Sequence, residues 1–181
     1  MAISKRTGKR CRIKTCVVGP KCWIHTKFQD GLIIKKSAIA GAGKGLMTTV
    51  PRKAYSRIAE YTGELLTSAQ VNARYPGAAL GEYTIKAGYN NYIDARNTNS
   101  GPARYANTCD APAGMKRVCR NNATLAYEVI PGGRVKKTRR KHRVWLEVCP
   151  GANIPAGSEI FTSYGKHYSI GGVPVVSNDC A

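Results

Sequence analysis

The sequence predicts a mostly β domain with little helix, and three observations carry that prediction. Short apolar or alternating runs recur along the chain, each bounded by Gly, Pro, Asn or Ser. One segment alone carries both a helix start and a helix stop signal. No self-similarity recurs at a fixed period, so a repeat architecture is excluded. The 181 residues suffice for one sizeable core, or for one domain with a short appendage.

Each element can be justified in turn. "GLIIKKSAI" (31–39) reads as a strand, "AGAGKG" (40–45) as a glycine turn, and "LMTTV" (46–50) as a second strand stopped by Pro51. "SRIAEYTGELLT" (56–67) combines a strand with a turn. "TSAQVNARYP" (67–76) opens on a capping Thr or Ser and closes before Pro76, which predicts one short helix. "EYTIKA" (82–87) and "NNYIDARN" (90–97) form a hairpin pair. "NATLAYEVI" (122–130) and "VWLEVC" (144–149) alternate and form another, with a basic block at its tip. "AGSEIFTSYG" (156–165) is the last strand. The chain thus divides into a basic, Cys-containing N-terminal arm (1–30), a β domain (31–170) and a C-terminal tail (171–181).

Charge is distributed unevenly over these parts. The formal net charge is +19. Residues 1–36 carry ten Lys/Arg against the single acid Asp30, whereas residues 54–115 balance five bases with five acids. "RVKKTRRKHR" (134–143) holds seven Lys/Arg and His142. A neutral centre flanked by basic segments suggests a catalytic or ligand-binding core with polyanion-binding additions; a localisation signal or a solvated loop is the plainer alternative. No apolar run approaches the ~20 residues that span a bilayer, so no membrane partner is expected. The charged N-terminus lacks an apolar h-region, so no signal peptide is expected. With that, seven cysteines point to thiols or metal ligands in a reducing compartment rather than to a disulfide framework.

"GAGKGL" (41–46) invites a phosphate-loop reading, but the G-K-[ST] and the following helix are missing, and a glycine turn in a hairpin is sufficient. Its order with four further segments is more informative. "SAIAGAGKGLMTT" (37–49), "AEYTGELLT" (59–67), "NNYIDARN" (90–97), "GPARYANTCDAP" (101–112) and "IPAGSEIFTSYGKHY" (154–168) follow one another at plausible spacing. The set resembles the SET-domain lysine methyltransferases over residues 33–168. The segments stand where that family has its glycine motif, E-Y-x-G-E, I-D-A, R-F-I-N-H-S-C-D-P and I-x-x-G-E-E-L-x-Y-D-Y-G.

The resemblance implies a SET-like fold of several short sheets with a knot-like C-terminal segment. It implies a protein-lysine N-methyltransferase that uses S-adenosylmethionine. Gly43, Lys44, Gly45 and Leu46 would pass along the cofactor, with glycine permitting close approach. Tyr83 would line it, Asn107 would bond its methionine end, and the backbone at Thr108 would face the adenine. Tyr164 would supply the indispensable hydroxyl and also border the cofactor. Tyr61 and Tyr164 would flank a lysine channel completed by Leu125, Tyr127 and Thr162. Arg104 would be structural. A dry channel beside a sulfonium cation disfavours the ammonium form of the substrate lysine by desolvation and like charge, so alignment does most of the work.

Three positions depart from the family pattern: Thr108 stands for His, Ser163 for Asp, and Thr162 where Tyr or Phe often limits the number of methyl groups. No C-x-C-x-x-x-x-C follows the last motif, so Cys109 is expected as a reduced, partly buried thiol rather than a zinc ligand. Upstream, Cys11, Cys16, Cys22 and His25 form C-x4-C-x5-C-x2-H, a set that zinc would accept. The spacing matches no diagnostic pattern, so unliganded thiols in a basic arm are the plainer reading. The expected substrate is a histone tail or another basic protein, in the nucleus or on chromatin, or in a virion if the source is viral. Nucleosomal DNA or another polyanion would engage residues 134–143 and the N-terminal arm. The rivals are a catalytically weak SET-like module that binds chromatin or nucleic acid, and a methyltransferase for a non-histone protein.

Overall fold

The computed structural model describes residues 22–77, 80–129, 142–165, 168–170, 173–176 and 180. The described chain begins with a single helical turn, α1 (Trp23–His25), and a wider π-helical turn, Thr26–Asp30, which ends at Gly31 in the left-handed region. A two-stranded antiparallel sheet follows, β1 (Leu32–Lys36) against β2 (Lys44–Thr48). Gly41 and Gly43 take positive φ in the connecting turn, which a residue with a Cβ adopts only at a cost. Leu32 and Leu46 carry the inner face and are fully buried.

Two three-stranded antiparallel sheets flank this hairpin. β3 (Arg57–Glu60) pairs with β9 (His142–Val148), which pairs in turn with β8 (Ala123–Val129). β4 (Glu64–Leu66) and β5 (Thr84–Lys86) both pair with β6 (Tyr92–Asp94). Between β4 and β5 lies α2 (Ser68–Arg74), started by a capping box in which Thr67 and Gln70 satisfy each other's backbone N–H groups. The helix and both hairpins thus form where alternation and capping place them. The basic tip between β8 and β9 falls on residues 130–141, outside the described residues. One core serves these layers: Leu32, Leu46, Ile58, Ile93, Val144, Leu146, Ile154 and Ile160 belong to a single buried cluster. No described helix is long and apolar enough to cross a membrane.

The C-terminal third departs from expectation in three ways. Residues 154–162 form no regular strand. They make isolated bridges, Arg52↔Ile154, Met47↔Glu159, Asn107↔Phe161 and Ala123↔Thr162, because they run between elements that belong to different sheets. The segment thereby bridges both the loop at Asn107 and the start of β8. Residues 173–176, expected as tail, form β11 (Val173–Val176), which pairs with β7 (Ala111–Pro112) and with β10 (Ser169–Ile170).

The third departure concerns cysteine. Cys109, expected as a thiol, is bonded to Cys119, and Cys149 is bonded to Cys180. The first bond is possible because the chain after Pro112 turns back at once, with Met115 N donating to Pro112 O. The second holds the end of the chain to the exit of β9. An odd cysteine count concealed both pairs.

Candidate active site

Two buried carboxylates organise the site. Glu159 is 8% exposed and stands at the base of the β1–β2 turn. Its Oε1 accepts from Ser37 Oγ at 2.7 Å and from Asn107 Nδ2 at 3.0 Å, and its Oε2 accepts from Ala38 N at 2.8 Å. A Cβ on Gly45 would overlap this carboxylate, so the glycine is required by Glu159 itself. Asn107 Nδ2 also donates to Lys44 O at 3.1 Å. Both N–H groups of the Asn107 amide are thereby used, and what it offers a ligand is its carbonyl oxygen, an acceptor.

Asp110, on the loop that also carries Asn107, does the same work. Its carboxylate accepts from Asn121 Nδ2 at 2.8 Å, from Ser163 Oγ at 2.8 Å and from Tyr164 N at 3.1 Å. Ser163, a departure from the family pattern, is thus engaged by a carboxylate from the facing loop. Thr108, a second departure, braces its own loop by accepting from Asp110 N through Oγ1. Thr162 donates its backbone N–H to Asn107 O, and its buried Oγ1 has no hydrogen-bond partner among the described residues.

The tyrosines converge on backbone carbonyls. Tyr164 OH donates to Ala106 O at 3.0 Å, and Tyr61 OH donates to Tyr83 O at 3.0 Å. Desolvation pushes both phenols above their ordinary pKa, at Tyr61 within a buried residue and at Tyr164 around a hydroxyl turned inward on a residue that is 37% exposed as a whole. Tyr168, Tyr61, Tyr83 and Asp110 add to the rise at Tyr164. At Tyr61, Arg104 opposes part of it. Both groups therefore stay protonated at neutral pH. With their protons committed to carbonyls, the phenol oxygens present lone pairs, which suit the N–H groups of an amine. Arg104 lies over Tyr83 at 4.2 Å and over Tyr105 at 4.8 Å, and its Nε donates to Ala95 O at 2.6 Å. That is the structural role expected of it.

Tyr83, Asn107, Thr108 and Tyr164 line one cavity of about 530 Å³. Its wall also includes Ile39–Ala42 from the β1–β2 turn, Tyr168, and the loop that the Cys109–Cys119 bond closes. Its charged lining residues are Glu82, Asp110 and Lys116. Tyr61 stands behind Tyr83, through the bond to its carbonyl. Other expected residues lie elsewhere. Gly43 and Lys44 border a second groove with Trp23, Lys27 and Lys35. Leu46 is fully buried in the core, and Leu125 packs against that core from β8. Tyr127 is 58% exposed. Of the proposed zinc set, Cys22 and His25 are described, and Cys11 and Cys16 lie outside the described residues.

Glu159, Asp110, Tyr168 and Glu82 had no part in the sequence-based site. Glu159 and Asp110 sit inside quoted motifs, "GSEIF" and "TCDAP", and an acid in a chain so poor in acids was the available signal. Tyr168 closes the quoted segment 154–168 and Glu82 opens the quoted strand 82–87, and neither carries a further signal.

Comparison with curated proteins returns no match. The family model for the SET domain matches residues 43–165, more than half of the 181. That span includes Tyr83, Asn107, Thr108, Asp110 and Tyr164 of the cavity wall, and Glu159 beside it. The chain belongs to the SET-domain family.

Proposed function

We propose that this protein is an S-adenosylmethionine-dependent protein-lysine N-methyltransferase acting on a basic protein, with a histone tail as the substrate. SET-domain proteins are in general lysine methyltransferases, which supports the reaction class. The observation that carries the reading for this chain is the Tyr164 hydroxyl, fixed to Ala106 O at the wall that also holds Asn107 and Tyr83.

The donor set suits the cofactor. A cavity of about 530 Å³ is of the size that takes a nucleoside-sized ligand. Its apolar wall (Ile39, Met115, Val118) and its tyrosines suit a base, and the Asn107 carbonyl oxygen suits an ammonium group. The cofactor supplies an electrophilic methyl on a sulfonium. The chain's own contribution is alignment. The Tyr164 oxygen, with its own proton held by Ala106 O, would accept an N–H of the neutral lysine amine and so orient its nitrogen lone pair. Tyr61, buried and held by Tyr83 O, keeps the adjoining wall dry. A dry wall with no ionised phenol lowers the cost of a neutral amine relative to an ammonium ion.

A charge of +19 disfavours approach of a basic tail by itself, and nucleosomal DNA would reverse that penalty through the segment 134–143 and the N-terminal arm. The test is transfer of labelled methyl to free histones, nucleosomes and non-histone basic proteins, with the modified residue located by mass spectrometry. Label on histone lysine supports the reading. Label on non-histone protein alone removes the histone assignment, and no transfer to any substrate, with cofactor bound, supports a binding module instead.

A further inference from the structure

Among the described residues β1 pairs with β2 alone, and the phase of that ladder decides which of its backbone groups are left over. Ser37 N donates to Gly43 O at 2.8 Å and Thr49 N donates to Gly31 O at 2.7 Å. These bonds bracket the register from Leu32↔Thr48 to Lys36↔Lys44, so Ile33 and Lys35 spend their backbone groups on β2. Leu32, Ile34 and Lys36 turn theirs the other way. The far edge of the hairpin has the same phase and is occupied, with Ile160 N donating to Leu46 O at 2.7 Å and Thr48 N to Ser158 O at 3.0 Å. No described residue makes a backbone hydrogen bond to Ile34 or Lys36 on the β1 edge. Leu32 is fully buried, so Ile34 and Lys36 are the accessible part of that edge.

A groove of about 720 Å³ is lined by every residue of β1 and by side chains of the two helical turns before it. Successive residues of a strand point to opposite faces, so a groove that meets all of them follows the strand's edge rather than one face. Lys27, Lys35, Lys36 and Lys44 line it, all four exposed, and no acid lines it among the described residues. Trp23, 62% exposed, gives it an apolar wall. The turn that carries Trp23 and Lys27 is fixed by Thr26 N donating to Cys22 O at 3.0 Å and Gly31 N donating to Lys27 O at 3.1 Å.

We propose that the open edge of β1 takes up an extended, acidic segment of a partner protein as an added strand. Ile34 and Lys36 each offer one N–H and one C=O at the two-residue spacing that another strand matches. Backbone pairing supplies affinity in this mode, and the lysines select the sign of the partner's side chains. A DNA phosphate backbone would use the lysines but has no donors for the carbonyl oxygens of Ile34 and Lys36. Charge also turns away the two occupants nearest at hand. Residues 1–21 of this chain carry seven Lys/Arg and no acid, and a second copy brings the same lysines to the edge. Lysines on an edge strand are a usual guard against self-pairing, and an acidic strand is the one that such a guard admits.

The test uses the full chain and a labelled peptide of alternating Glu and Val, about eight residues long to span such a strand. Its fully N-methylated form keeps the charge and removes the N–H donors. The unmodified peptide should bind, and the methylated one should bind at least about ten-fold more weakly. Amide exchange followed by NMR should slow at Ile34 and Lys36 when the peptide is added, and should stay the same at Lys35, already bonded to β2. Lys36→Pro removes an edge N–H that an edge strand can spare, whereas Lys36→Gln removes the charge alone. The proline variant should bind the peptide several-fold more weakly than the glutamine variant. No peptide binding, equal affinity for both peptides, or unchanged exchange at Ile34 and Lys36 would each overturn the proposal. Slow exchange there before any peptide is added would overturn it too, in favour of this chain's own arm or a second copy. Oligothymidylate that excludes the peptide and leaves exchange at Ile34 and Lys36 fast would reassign the groove to nucleic acid. The wild-type exchange decides the matter even if the proline variant does not fold.

Discussion

Tyr164 reaches its place through two bonds that do not involve its ring: its N–H to Asp110 and its hydroxyl to Ala106 O. Tyr164→Phe keeps the first bond and removes the oxygen proposed to orient the amine. Turnover should fall on the order of 10²-fold, the usual cost of one oriented transition-state contact, while cofactor affinity changes by less than about three-fold. Steady-state transfer rates alongside calorimetry check this, and a wild-type rate would remove the hydroxyl from the chemistry. Glu159 acts at one remove. Its carboxylate faces three donors, Ser37 Oγ, Ala38 N and Asn107 Nδ2. Glu159→Gln turns an NH2 group toward donors and should cost about 1–3 kcal/mol of stability, read from urea denaturation. Cofactor affinity should weaken with it, because the turn it secures lines the cavity. Unchanged stability would mean that the turn is held elsewhere. The motif residues were legible at this scale because the family pattern names them. Glu159 and Asp110 were not, since their importance lies in contacts to residues 122 and 53 positions away.

The elements that came through from sequence alone are those whose partner is the next segment of chain. β1 with β2, β5 with β6 and β8 with β9 are each pairs of strands consecutive in sequence, so alternation and glycine placement specify them locally. The segment 154–162 fails that criterion, because its bridges go to four distant elements and none is next to it in sequence. One sheet carries a pH dependence. Asp94 on β6 is 1% exposed. Burial pushes its pKa up, but hydrogen bonds from Arg74, Arg96 N and Tyr75 outweigh that and hold it below the ordinary value. Its stabilising contribution is therefore complete above the unfolded carboxyl pKa of about 3.9 and is lost as pH falls below it. Asp94→Asn should be less stable at pH 7 and should show a shallower loss between about pH 5 and 2, measured by thermal melts. Parallel curves for both proteins would contradict this. On the β8–β9 tip, Ala at Lys136, Lys137, Arg139, Arg140 and Lys141 should weaken nucleosome binding and flatten its salt dependence. Activity on a free peptide should stay the same, and the reverse pattern would place the tip in the substrate groove.

Across the whole molecule the two disulfides join regions that no sheet connects directly. Cys149–Cys180 closes a loop of sequence separation 31, and Cys109–Cys119 closes one of separation 10 against the cavity wall. Loss of the longer link should cost about 3–4 kcal/mol on the loop-entropy estimate. Cys149→Ser should lower the denaturation midpoint accordingly, and reduction of the wild type should lower it further; equal midpoints would show that neither bond stabilises the fold. Neither bond was readable from sequence, where seven cysteines and an N-terminus without an apolar h-region pointed to thiols. The β class and the order of the five motifs were readable, because each motif keeps its own local pattern wherever the chain carries it. The proposed reaction requires that the cavity lined by Tyr83, Asn107 and Tyr164 be the cofactor site. Calorimetric titration of the intact protein with S-adenosylmethionine tests this most directly, with Asn107→Ala as the paired variant. One molecule bound per chain, with affinity reduced at least several-fold in the variant, is the predicted result. No binding to the wild type, or equal binding to both proteins, would contradict the account.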